Sequence, residues 1–140
     1  MSKILITRRT FQEAEDKLRK AGSEVVIWGE PDSPGYEELL KEIRDTDGLY
    51  AHITNQVDGA VMDAAPDLKV ITEFGVGYDN IDVDAANKRG IAVCNTPGIL
   101  SESTADEAFA LLMAMARRTH DLPQLVKRGE WGDFDPLAYL

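Results

Sequence analysis

Cysteine is almost absent from this chain. Cys94 is its single one, so no internal disulfide can form. No run approaches the roughly 18 apolar residues of a membrane span, and residues 1–10 carry nothing like a secretory signal. The chain therefore reads as cytoplasmic. Basic residues are also in short supply: 15 Lys and Arg stand against 25 Asp and Glu, giving a formal charge of -10 and a pI near 4.6. Such a field repels polyanions and argues against nucleic acid or anionic membranes as partners. A small carboxylate remains acceptable wherever local amides and arginines override the net field. Internal repeats and low-complexity segments are missing too.

What remains is ordinary globular material, 140 residues with 44% hydrophobic and 29% charged, enough for one domain with a real core. The chain is organised around residues 70–98. There a β-rich run (Val70, Ile71, Thr72) breaks at Gly75-Val76-Gly77, passes through a helix-compatible stretch and returns to an apolar run at Ile91. Two glycines one residue apart after a strand free the backbone for unusual φ/ψ and leave amides without side-chain cover, which suits a small anion. The dinucleotide fingerprint G-x-G-x-x-G is not completed, because Asn80 stands at its third glycine. The glycines alone read first as a structural turn.

Apolar runs at residues 3–7, 24–28, 48–53, 70–72 and 91–93 predict five strands. Helical patterns intervene at residues 11–21, 36–43, 59–65 and 82–88, with Gly22, Pro66 and Gly90 as stops. Strands alternating with helices over short loops predict an α/β, doubly wound, five-stranded parallel sheet. Ligands of such sheets gather at the carboxyl ends of the strands. Those ends carry Arg8 and Arg9, His52 to Asn55, Gly75 to Tyr78, and Asn95 to Gly98. Arg8 and Arg9 read first as solvated charges, His52 as a surface histidine, His120 as a helix C-terminal cap and Cys94 as a small core filler.

Val76-Gly77-Tyr78-Asp79-Asn80-Ile81-Asp82, then Arg89-Gly90-Ile91, Asn95-Thr96-Pro97-Gly98 and Thr104-Ala105-Asp106, in that order, resemble the D-isomer-specific 2-hydroxyacid dehydrogenase family. Within it the likeness is greatest to glyoxylate (hydroxypyruvate) reductases. It extends over the whole chain, including Arg128-Gly129-Glu130-Trp131. The resemblance implies a flavodoxin-like substrate domain, here residues 1–100. It implies that the amides of Val76 and Gly77 hold the substrate carboxylate, that the loop at His52 and Ile53 borders the substrate, and that Thr104 lies near the nicotinamide. His52 departs from the apolar or small residue expected there in a glyoxylate reductase, which leaves the identity of the 2-oxo acid open. The family's NAD(P)-binding Rossmann domain and its catalytic arginine, glutamate and histidine are expected beyond residue 140. This chain is thus assigned no catalytic residue, no metal ligand and no cofactor of its own, and is expected to be inactive alone.

Thr104 and Glu107 form a capping-box pattern, and residues 105–116 are apolar on nearly every side. Leu122, Trp131, Phe134, Leu137, Tyr139 and Leu140 follow in a segment broken by Pro123, Gly129 and Pro136. Exposure of so much apolar surface would cost several kcal/mol at roughly 25 cal/mol per Å². We expect a homodimer through Ser101 to Leu140, which serve as an interdomain and dimerisation helix and arm, packed on or exchanged with the partner copy. A monomer whose helix folds back on its own sheet is the competing arrangement. A stand-alone flavodoxin-like binding or dimerisation module is the alternative to a dehydrogenase part.

Overall fold

A computed structural model describes residues 1–29 and 31–133. The chain divides into two compact units that part between Pro97 and Gly98. In the first, strands β1 (Lys3–Ile6), β2 (Glu24–Ile27), β3 (Gly48–Ala51), β4 (Val70–Glu73) and β5 (Ala92–Cys94) form one sheet in the order β2-β1-β3-β4-β5. Every pairing is parallel. This is the doubly wound, flavodoxin-like arrangement, in which the order reverses between β1 and β3.

Helices α1 (Gln12–Lys20), α2 (Tyr36–Glu42), α3 (Gly59–Asp63) and α4 (Val83–Arg89) make the crossovers. Leu5, Leu49, Ile71 and Val93 lie in register on one face and meet Leu39, Ile43, Val61, Met62, Ala85 and Ala86 from α2 to α4 in the core. Right-handed crossovers put α1 on the opposite face, because the chain moves from β1 to β2 in the other direction. Caps fix the helices locally: Asp58 accepts from the amides of Ala60 and Val61, Asp82 accepts from that of Ala85, and Gly90 closes α4 at φ 68°. Gly48 has a packing reason, since a Cβ there would stand 2.7 Å from Ile4 Cδ1.

Several expectations need correction. Strand β3 stops at Ala51, not at Ile53, because the His52 amide turns away to Thr7 Oγ1 and Asn55 Oδ1, both at 3.0 Å. Cys94 is exposed: β5 is an edge strand, and its alternate residues Ala92 and Cys94 lie on a face left open. Neither Gly75 nor Gly77 has a positive φ, so no left-handed backbone demands glycine at either.

The second unit contains α5 (Ser101–Ala116) and α6 (Asp121–Lys127). Helix α5 begins one turn earlier than its sequence pattern, with Leu100 as N-cap and no side-chain cap. The capping box is not formed: Thr104 lies within the helix and donates from Oγ1 to the Leu100 carbonyl at 2.8 Å. Helix α6 runs through Pro123, tolerated because it occupies the first turn, where its missing N–H has no helical partner. His120 precedes α6 and makes no capping bond, while α5 closes on Arg117. Phe134, Leu137, Tyr139 and Leu140 of the expected arm lie outside the described residues.

Candidate functional site

The turn after β4 is held by its carbonyls. Gly75 O accepts from the Thr96 amide at 2.9 Å, and Val76 O accepts from Asn95 Nδ2 at 2.9 Å. Among the described residues the N–H groups of Gly75, Val76 and Gly77 donate to nothing. Anchored carbonyls and free amides leave a cluster of donors at the carboxyl end of a central strand, the electrostatic pattern that receives a small anion. A Cβ on Gly77 would meet only Asp79 Oδ2, at 3.7 Å, so nothing in the protein itself requires glycine there.

Beneath the turn lies a polar network invisible in the residue order. Glu73 is fully buried at the end of β4, where its Oε2 accepts from Asn80 Nδ2 at 2.9 Å. The same Asn80 nitrogen donates to the Asn55 carbonyl at 3.0 Å and so joins the β3 and β4 loops. Asn55 in turn reaches the Pro34 carbonyl through Nδ2 at 3.0 Å. Glu73 Oε1 has no hydrogen-bond partner. Burial pushes the Glu73 carboxyl above its ordinary pKa, against the Asn80 hydrogen bond and the attraction of His52. A lone glutamate ending an otherwise apolar strand was the only signal of this network in the sequence.

His52 and Ile53 follow β3. His52 is half-buried, with Nδ1 3.0 Å from Thr54 Oγ1 and accepting from the Thr54 amide at 3.4 Å. In the tautomer that accepts this amide bond, Nδ1 carries the lone pair and Nε2 the proton. Ile53 is 55% exposed and Val76 45% exposed, both open to a ligand. Arg8, Arg9, Tyr50, His52 and Phe74 line a recess of about 80 Å³ across the ends of β1, β3 and β4. Thr104 lies in the second unit, with its hydroxyl engaged by Leu100. Among the described residues no group of His, Cys, Asp or Glu is placed to hold a metal, and no helix is long and apolar enough to cross a membrane.

The profile of the D-isomer specific 2-hydroxyacid dehydrogenase catalytic domain matches residues 4–129. The chain belongs to this family. Among its relatives, the glyoxylate reductase of Thermococcus litoralis is 44% identical over 142 residues, covering 99% of this chain and 43% of that protein. A crystal structure of a Thermus thermophilus protein superposes with a TM-score of 0.83 at 38% identity, over 99% of this chain and 44% of the other. The NADPH-dependent glyoxylate/hydroxypyruvate reductase of Sinorhizobium meliloti, solved with NADP and malonate, gives 0.71 at 31% identity, over 93% and 39%. The chain thus spans less than half the length of these family members.

Proposed function

We propose that this chain is the substrate-binding half of an NAD(P)-dependent D-2-hydroxyacid dehydrogenase that acts on a small 2-oxo acid such as glyoxylate. The observation that carries the reading is the set of free amides at Gly75, Val76 and Gly77, presented at the end of β4 in a member of this family. In this reading the amides of Val76 and Gly77 take the substrate carboxylate, and His52 and Ile53 border the rest of the molecule. The described residues do not fit a dinucleotide. The one glycine-spaced turn lacks the third glycine that lets a pyrophosphate approach a helix, and the Thr104 hydroxyl is engaged within its own helix. Hydride transfer is therefore not assigned to these residues, and the chain alone is expected to be inactive.

Residues 1–100 are the binding body in this reading, and residues 101–140 mediate self-association into a homodimer. Phe109, Leu111, Leu112 and Met115 on α5 are all more than half exposed, and no residue of α5 is buried. A surface of that character favours a second copy.

Two measurements test these statements. Titration of the 15N-labelled chain with glyoxylate should shift the Val76 and Gly77 amides first; silence there favours a stand-alone module. Light scattering should give a mass near twice 15.5 kDa as concentration rises, with no NADH oxidation above background. A constant 15.5 kDa would end the dimer assignment, and turnover would end the inactive one.

A further inference from the structure

The recess at the end of β1 is chemically unlike the rest of the sheet unit. Within the sheet unit Arg19 pairs with Glu15 at 3.2 Å, Arg44 donates to the Leu40 carbonyl at 3.4 Å and Arg89 grips Asp63 at 2.8 Å. Arg8 and Arg9 form no ion pair or hydrogen bond among the described residues, in a chain whose formal charge is -10. Both line one recess with His52, whose Nε2–H is a further donor.

The walls are stiff. The Tyr50 ring packs on Phe74 with centroids 5.8 Å apart, and Phe11 meets Phe74 edge-on at 6.4 Å. Tyr50 Oη shares a hydrogen bond of 3.2 Å with Thr10 Oγ1. Fully buried Thr7 donates from Oγ1 to the Tyr50 carbonyl and accepts the His52 amide, fixing the β1 and β3 ends together. Glu73, whose carboxylate feels the attraction of His52, extends from the opposite face of the sheet, since it is in register with Ala51 while Phe74 follows on the other side. The site also occupies the switch between β1 and β3, where doubly wound sheets take their ligands.

We propose that Arg8, Arg9 and His52 form a second anion subsite, which receives the distal acidic group, a carboxylate or a phosphate, of a 2-oxo acid longer than glyoxylate. This rests on the reading of the Gly75 to Tyr78 turn as the carboxylate cradle. Strand spacing supplies the length argument. Strands β1 and β4 both neighbour β3, which sets them about 10 Å apart at about 4.8 Å per step. Glyoxylate, with two carbons, cannot reach from the β4 turn to the β1 arginines. A dianion of five or so heavy atoms in its backbone, met by extended guanidinium arms, can. Guanidinium forks match both carboxylate and phosphate geometry, so the subsite discriminates by charge and length.

The test compares three probes on the 15N-labelled chain: glyoxylate, 2-oxoglutarate and inorganic phosphate. We expect 2-oxoglutarate to bind about tenfold tighter than glyoxylate, the scale of one charge-assisted contact. It should shift the Val76 and Gly77 amides together with the Arg8, Arg9 and His52 side-chain signals, whereas phosphate added when glyoxylate already holds the turn should shift the recess signals and leave Val76 and Gly77 in place. Against acetate as a single-carboxylate control, tighter binding of phosphate in the recess names a phosphate as the distal group, and weaker binding names a carboxylate. The double variant Arg8→Gln, Arg9→Gln should lose both the dianion advantage and the phosphate response while its glyoxylate shifts stay intact, and Lys at both positions should restore part of the advantage. Equal affinity for glyoxylate and 2-oxoglutarate overturns the subsite and leaves the turn reading standing. Glyoxylate that leaves Val76 and Gly77 unmoved overturns the turn reading, and with it the bridging ligand, even if phosphate still binds.

Discussion

Helix α1 and helix α5 treat their side chains in opposite ways. Helix α1, QEAEDKLRK, is mostly charged, yet it sits against the sheet and even buries Glu15, whose carboxylate is held by Arg19 at 3.2 Å. Helix α5, with FALLMAMA over its second half, buries nothing: Phe109 is 65% and Met115 80% exposed. Composition alone would assign the two helices to each other's places. The sheet unit buries apolar side chains in a core of its own, whereas α5 leaves its apolar side chains exposed.

Substitutions placed in each unit test whether the contrast is real. The largest effect is expected in the sheet core, where Ile71→Ala should cost about 2–5 kcal/mol in chemical denaturation, while Leu112→Ala on α5 should lower the light-scattering mass and leave dilute-solution stability within about 0.5 kcal/mol. Equal costs would mean that α5 is covered within one chain. Next comes Gly48→Ala, which brings a methyl against Ile4 Cδ1 at 2.7 Å and Val70 Cγ1 at 3.3 Å and should cost about 1 kcal/mol, since the Ile4 terminus can turn aside while the branched Val70 side chain has less freedom.

Glu73→Gln is expected to run in the other direction. Burial raises the Glu73 pKa in the folded state, so the carboxyl costs nothing below its ordinary range, and stability is lost as pH rises through the raised value. The variant should therefore match the parent near about pH 4 and exceed it by about 1 kcal/mol at about pH 8, the low end for an unpartnered buried polar atom. A parent that gains stability over that range would contradict the assignment. The smallest effect on folding belongs to Gly77→Ala, within about 0.5 kcal/mol, because neither φ nor crowding opposes a methyl there. Glyoxylate shifts at Val76 should nonetheless disappear, which separates a glycine kept for a ligand from one kept for the chain.

The sheet was legible because its evidence is local. Apolar runs and Gly90 after α4 are properties of short segments, and the strands fall within two residues of their expected ends. The shortened β3 and the buried network originate in contacts between distant residues. Thr7 draws off the His52 amide across 45 positions and shortens β3. Asn80 ties Asn55 to Glu73, joining loops that no spacing rule connects. Arg8 and Arg9 could be placed at a strand end from the sequence, but their meeting with Tyr50 and Phe74 depends on the strand order. Pro123 reads as a break because proline interrupts helices, yet it is compatible with the first turn it occupies.

Strand β5 carries one more consequence. It is the three-residue border of the sheet, hydrogen-bonded on one side to β4 and followed at once by Asn95 and the Thr96 amide's bond back to Gly75. So short a border offers few free backbone groups to template a neighbouring chain, which protects against runaway fibre growth even at high concentration. Strand addition along this border should therefore be disfavoured, which leaves the four-residue β2 at the opposite border as the longer free edge of the sheet.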